Sequence, residues 1–202
     1  DGKVIATQEQ ILHGQELFQA RGLQQYGTVL GHGAYLGPDY TAEYLRLTTD
    51  AAIKEYREQG KQDPRELVKN EWRKENKYDE QTKTLTWSAG ETKGFQLMLK
   101  HYSDTLKKGD TSQGLFPDAI KNDEELHDLV AFFGWTAWAS AADRPDQPYS
   151  YTNNWPSEPN VDNKPTADLM VWSALSLITL IGGTGLMFAI YGRWSRAIGW
   201  HA

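Results

Sequence analysis

The chain has 202 residues, a formal charge of −6, five His, eight Trp and no Cys. The missing thiols exclude a disulfide framework, a Cys-ligated zinc or iron–sulfur site, and covalent haem attachment through C-x-x-C-H. The acidic balance excludes nucleic-acid binding, because no basic surface replaces phosphate counterions.

The sequence opens at Asp1 without Met, so a processed or truncated start is expected. Thr7 and Gln10 form a capping box ahead of an amphipathic run marked by Ile11, Leu12, Leu17 and Phe18. Gly22 is placed to end that helix in the left-handed conformation. Gly27, Gly31, Gly33 and Gly37 then fall between Tyr26 and Tyr40, which reads as a loop wrapped around something. Helices are expected over 41–46 and from Thr49 to about Gln59. Asp63-Pro64-Arg65-Glu66 starts another, running to about Lys77. The Thr-rich alternation from Thr82 to Trp87 predicts a short strand or hairpin arm. Ser88 and Glu91 give a second capping box, opening a helix that offers Phe95, Leu97, Met98 and Tyr102 to the core. Asn122 and Glu125 give a third, leading into Leu126, Leu129, Val130, Phe133, Trp135 and Trp138, the expected central helix. Five prolines between 141 and 165 predict an ordered linker in which Tyr149, Tyr151 and Trp155 pack on the domain or on lipid headgroups.

Leu169 to Gly192, LMVWSALSLITLIGGTGLMFAIYG, is 24 residues without a charge. Such a helix is about 36 Å long, enough to cross a hydrocarbon core of about 30 Å. From Pro165 onward the formal charges are Asp168, Arg193 and Arg196, a net of +1, which leaves −7 for the first 164 residues. The arginines after the span place its C-terminal end in the cytoplasm and the acidic domain outside. Trp172 falls at the outer interface, Trp194 and Trp200 at the inner one. Ser176, Thr179 and Gly183, with Gly182 and Gly185 beside them, form a stripe of small residues. It predicts a contact with another helix, within the same protein or across a homodimer. The end after GWHA at Ala202 leads us to expect a fragment of a longer membrane protein. The expected organisation is a mostly α domain with a short β-hairpin over 1–145, a Pro-rich linker over 146–166, a transmembrane helix over 167–192, and a cytoplasmic start of the next segment over 193–202.

Signs of catalysis are missing. His13, His32, His101, His127 and His201 show no helical metal-site spacing and read as isolated surface or capping residues. Glu71, Glu75, Asp79 and Glu80 alternate with Lys and Arg and read as solvated helix faces. No nucleophile elbow, P-loop or dinucleotide fingerprint occurs. No catalytic and no metal residue is assigned.

The segment from Gly14 to Leu45, GQELFQARGLQQYGTVLGHGAYLGPDYTAEYL, resembles the haem-attachment region of the small cytochrome c subunit of bacterial nitric oxide reductases. Thr28, Leu30, Gly31, Gly33, Ala34, Tyr35, Pro38 and Asp39 keep the pattern T-x-L-G-x-G-A-Y and its Pro-acidic step. The resemblance puts Leu23 and Tyr26 where the two cysteines would stand and Gly27 where the proximal His would be. It aligns Phe116-Pro117 with the distal Met-Pro. Together with the membrane helix, this is similar to the N-terminal part of quinol-dependent nitric oxide reductase. The resemblance implies a haem-free cytochrome c-like domain, with Leu23, Tyr26, Phe116 and neighbouring aromatics filling the vacated volume. It also implies an oxidoreductase of the bacterial cytoplasmic membrane that turns two NO and a membrane quinol into N2O, water and quinone. Haem b, haem b3 and non-haem iron would be held by a catalytic transmembrane bundle beyond this segment. A stand-alone, membrane-tethered docking or assembly module on a cytochrome c scaffold remains the alternative.

Overall fold

The computed structural model describes residues 2–197 and 199, so the expected interfacial Trp200, His201 and the chain end at Ala202 lie outside the described residues. Contacts divide the chain into two units, 1–164 and 165–202.

In the first unit, α1 (Gln8–Ala20) begins with the expected reciprocal capping box between Thr7 and Gln10. It buries Gly14, Leu17 and Phe18, while Leu12 faces solvent. Gly22 follows the helix at φ 65°, as the left-handed stop requires. The loop carries a 3-10 turn, Leu23–Gln25, and a minimal antiparallel pair, β1 (Thr28–Val29) with β2 (His32–Gly33).

The two helices expected over 41–59 are one, α2 (Tyr40–Glu58), capped by Asp39. Thr48 and Thr49 sit inside it rather than at a break. Their hydroxyls donate to the carbonyls of Tyr44 and Leu45 at 2.8 and 2.7 Å, so neither is left to cap a new helix. α3 is shorter than expected, Pro64–Lys69, and continues as a π turn over Asn70–Lys74. That turn rotates Trp72 and Arg73 into the interior, so the face read as solvated is partly buried. The predicted hairpin is present as β3 (Tyr78–Asp79) paired with β4 (Thr84–Leu85).

α4 (Ala89–Tyr102) carries the Ser88/Glu91 box. It buries Phe95, Met98 and Tyr102, and Leu97 is exposed. α5 (Asp123–Ala141) is the central helix, packed against α1, α2 and α4. At its start Asn122 accepts from Glu125 N, but the Glu125 carboxylate turns back to Lys121 N at 3.2 Å. Trp135 points outward from α5 and Trp138 is half-buried.

The tightest junction is between α1 and α5. A Cβ at Gly14 would fall on the Asp128 carbonyl oxygen and lie 2.9 Å from Phe132 Cβ. Backbones can approach this closely only because Gly14 has no side chain. Histidines expected to be isolated are paired here: His13 Nδ1 lies 2.8 Å from Asp128 Oδ2, and His127 Nδ1 lies 3.2 Å from Oδ1. Asp128 is buried, so the two rings supply the partners its charge requires.

After Ala142 the chain has almost no regular structure, yet Ser150, Asn154, Glu158, Val161 and Asn163 are buried in the first unit. The segment expected as a linker from 146 is therefore folded onto the domain as far as Lys164.

The second unit contains α6 (Ala167–Trp194), 28 residues capped by Thr166. Among the described residues it is the one helix long and apolar enough to cross a membrane. The Thr184 hydroxyl donates to the Leu180 carbonyl at 2.7 Å, so this polar group is satisfied within the helix.

Gly14→Val should lower the stability of the domain by roughly 2–3 kcal/mol, read as a shifted melting transition, because α1 must move off α5. The hydrogen bond to Asp128 holds the His13 imidazole above its ordinary value, with Glu16 and Glu125 adding to the effect. Stabilisation from a raised group is complete below the unfolded value of about 6.5 and is lost as pH climbs through the folded-state value. The melting temperature should therefore fall as pH rises above about 6.5, and Asp128→Asn should remove much of that slope. His101, raised by the neighbouring Glu43 carboxylate, contributes with the same sign.

Candidate functional site: the turn after the first helix and an aromatic cluster

Leu23, Tyr26 and Gly27 lie together on the turn after α1. The Leu23 carbonyl accepts from the backbone N–H of Tyr26 at 3.1 Å and of Gly27 at 3.2 Å. Leu23 is fully buried, and Tyr26 packs on the core with its ring half-exposed. Gly27 is buried, and a Cβ there would lie 2.5 Å from the Pro38 carbonyl oxygen and 2.7 Å from the Tyr40 ring. The side chain of position 27 is thus replaced in space by Tyr40, the first residue of α2. Phe116 does not join them. It is 72% exposed, and its neighbour Leu115 is the buried residue of that loop. The expectation that Phe116 fills the interior is corrected: the turn at Gly109 packs against Pro117 and holds the loop so that Leu115 points inward.

Tyr40 is the centre of the filling. Its ring stacks on Phe133 at 4.7 Å with parallel planes. Phe18 and Tyr102 meet it edge-on at 5.9 and 6.0 Å, and Tyr102 also meets Phe133 at 5.2 Å. α1, α2, α4 and α5 each contribute a ring, so the cluster joins the four main helices of the domain. Stacked and edge-to-face rings add to the area they bury. Tyr102 donates to Glu43 Oε2 at 2.9 Å. Among the described residues the buried Tyr40 hydroxyl has no hydrogen-bond partner, and burial pushes its phenol far above the ordinary range. It stays protonated and gains nothing from its oxygen.

The glycine-rich loop wraps the Asp39 carboxylate. Oδ1 accepts from Ala42 N at 2.9 Å and caps α2. Oδ2 accepts from the Thr28 hydroxyl at 2.6 Å and from Gly31 N at 2.7 Å. Gly33, at φ 140°, lets the loop pass over the Gly27 carbonyl, where a Cβ would collide. The Leu30 carbonyl accepts from Trp155 Nε1 at 3.1 Å. The retained T-x-L-G-x-G and Pro-Asp positions therefore hold the loop closed by bonds of their own. Sequence reasoning singled out Asp39 but not Tyr40. The signal was there, since Tyr40 directly follows a Pro-Asp cap and opens an amphipathic helix.

The residues present do not fit a covalently attached haem: no thiol is available, position 27 has no room for an imidazole, and aromatic rings occupy its approach. A cavity of about 20 Å³, room for one water, is lined by Tyr44, Thr48, Trp72, Trp87, Glu91 and Trp138 among others. A shallow groove of about 440 Å³ runs between 38–46 and 157–159. None of Leu23, Tyr26, Gly27 and Phe116 lines either. Among the described residues no trio of His, Asp or Glu is grouped to hold a metal ion.

An N-terminal helix crossed by a central C-terminal helix, with a glycine-rich loop after the first, defines a cytochrome c-like domain without the residues for haem attachment. The chain belongs to the family of NorB cytochrome c-like domains of nitric oxide reductase, whose family model matches residues 1–157. It is thus part of an oxidoreductase. No curated protein matches the chain.

Truncation of the cluster should separate ring from hydroxyl. Tyr40→Ala should cost about 3–5 kcal/mol. Tyr40→Phe should leave the melting temperature unchanged or raise it by the equivalent of about 1 kcal/mol, because an unpartnered donor is removed. A large loss in Tyr40→Phe would mean that the hydroxyl has a partner.

Proposed function

We propose that this chain is the non-catalytic extracytoplasmic domain and linking helix of a quinol-oxidising nitric oxide reductase of the bacterial cytoplasmic membrane. The observation that carries this reading is the packing of Tyr40 against Gly27. A domain of the cytochrome c class has its relay position filled by a side chain, so electrons do not pass through this unit. A membrane quinol reaches its oxidation site from within the bilayer and needs no extracytoplasmic relay. Two electrons and two protons from the quinol then convert two NO into N2O and water, leaving quinone.

In this reading the chemistry belongs to a bundle of further helices of the same protein, which hold haem b, haem b3 and non-haem iron through their own histidines. The domain caps and orients that bundle. α6 spans the bilayer with Asp168 at the outer side and Arg193 and Arg196 at the inner side. Its stripe of Ser176, Thr179 and Gly183 lies against a neighbouring helix of the bundle or of a second copy.

Two measurements test the proposal. The complete reductase should consume NO with a reduced quinol analogue as sole donor and show no c-type haem spectrum. Dependence on a reduced soluble cytochrome would sink it. These 202 residues have no Cys, so Ser112→Cys introduces a thiol on an exposed turn of this domain, to be read against the unsubstituted protein. A membrane-impermeant maleimide should label it from the outer face in right-side-out vesicles, and labelling only after lysis would reverse the orientation.

A further inference from the structure

Residues 143–164 contain one 3-10 turn, Pro159–Val161, and two isolated bridges, Asp143 with Ser150 and Glu158 with Asn163. Val161 is the one residue that this segment contributes, among the described residues, to the buried apolar cluster. Besides Val161, its apolar fastening is the buried Pro156 and the Tyr151 ring against Trp138 at 5.2 Å; the rest of what holds the segment is polar, and it converges on one side chain.

Arg73, on the π turn after α3, is only 6% exposed. Its Nε forms an ion pair with Asp143 Oδ1 at 3.1 Å. Nη1 donates to the Asp162 carbonyl and to Asn163 Oδ1, both at 3.1 Å. Nη2 donates to the Pro148 carbonyl at 3.2 Å and to Asn154 Oδ1 at 3.3 Å. These acceptors are spread along the whole segment, so the guanidinium has its full set only when all of it is in place. Asn163 extends the arrangement by donating to the carbonyls of Ser140 and Pro156 at 2.9 and 2.7 Å. Outer fastenings are Arg46 to Glu158 at 3.2 Å, Lys74 to Asp143 at 2.5 Å and Asn160 to Asp50 at 2.7 Å.

We infer that residues 143–164 form a latch that opens and closes as one unit over a helical core that stays folded, with Arg73 as its catch. Opening uncovers little apolar surface, because the core is supplied by the helices. Its free energy therefore lies well below that of global unfolding. Partial opening leaves a buried cation short of acceptors, which is strongly disfavoured, so the latch moves all or none. The exposed outer pairs are individually weak and do not set this behaviour. The segment runs in sequence through Pro165 and Thr166 into α6. A closed latch leaves only Pro165 between it and the Thr166 cap of that helix, and an open one leaves about two dozen residues, so the latch sets the length of the tether. This inference stands on the packing of the first unit and not on the identity of the electron donor.

Hydrogen exchange on the full chain in lipid nanodiscs tests it. Amides of Asp143, Arg144, Asn154, Glu158 and Asn163 should share one protection factor, at least about tenfold below that of the α5 amides. Arg73→Lys keeps the charge and loses the fork, and should speed exchange of this group about tenfold while α1 and α5 are unchanged. Asn163→Ala, on the latch side, should give the same signature and covers the case in which the Arg73 variant does not fold. Latch amides that match α5 in the wild type, or that scatter over unrelated protection factors, would overturn the proposal.

Discussion

The domain rests on the contact of two helix backbones at Gly14. With no side chain at that position, α1 settles onto α5 until the chain itself meets the Asp128 carbonyl and the Phe132 side chain. Much else is placed by this contact. It brings His13 within hydrogen-bond reach of the buried Asp128 carboxylate. Phe18, one turn further along α1, enters the ring cluster at Tyr40 and Phe133. α5 in turn is the surface on which α2 and α4 are assembled. A single missing methyl group thus sets the spacing from which the aromatic interior follows.

That interior answers a packing problem specific to this class of domain. A cytochrome fold is built around a large flat body, and removing it without replacement leaves a void that close-packed interiors do not tolerate. Here the replacement comes mainly from the helices and not from the attachment turn. Leu23 contributes a buried side chain, but the bulk is Phe18, Tyr40, Tyr102 and Phe133. The glycine-rich loop persists for a reason independent of any cofactor: the Asp39 carboxylate, two backbone amides and the Thr28 hydroxyl close it on themselves. The T-x-L-G-x-G and Pro-Asp pattern is in this chain a loop-closing device.

Much of this was legible in the sequence, and the parts that were not share a cause. Capping boxes at Thr7 and Ser88, the Gly22 stop, the apolar span and the leading role of α5 all leave local marks in residue type or period. The break expected between 46 and 49 failed because Thr48 and Thr49 can bond back to their own helix as readily as cap a new one. The fate of 143–164 was hidden because a polar, proline-rich segment reads the same whether it floats or docks. Its docking depends on Arg73, about 70 residues upstream in a run of charges that reads as solvated. The pairing of His13 and His127 through Asp128 is a property of two helices brought together, and no spacing within one helix reports it. At the candidate site, Leu23 and Gly27 could be placed by resemblance, while the occupant of the space before Gly27 could not. Phe116 was misjudged because the adjacent Leu115 was equally able to turn inward.

The stack of Tyr40 on Phe133 beneath Gly27 also couples substitutions at these positions to one another. Restoring an imidazole at position 27 alone drives it into the Tyr40 ring. Shrinking Tyr40 alone opens a hole among Phe18, Tyr102 and Phe133. Adding thiols at 23 and 26 places reactive groups where no porphyrin can reach them, and the first of them sits in the core. Each of these single substitutions is penalised on its own. An imidazole at position 27 therefore requires a second change at Tyr40, and the aromatic cluster ties that change to Phe18, Tyr102 and Phe133 as well.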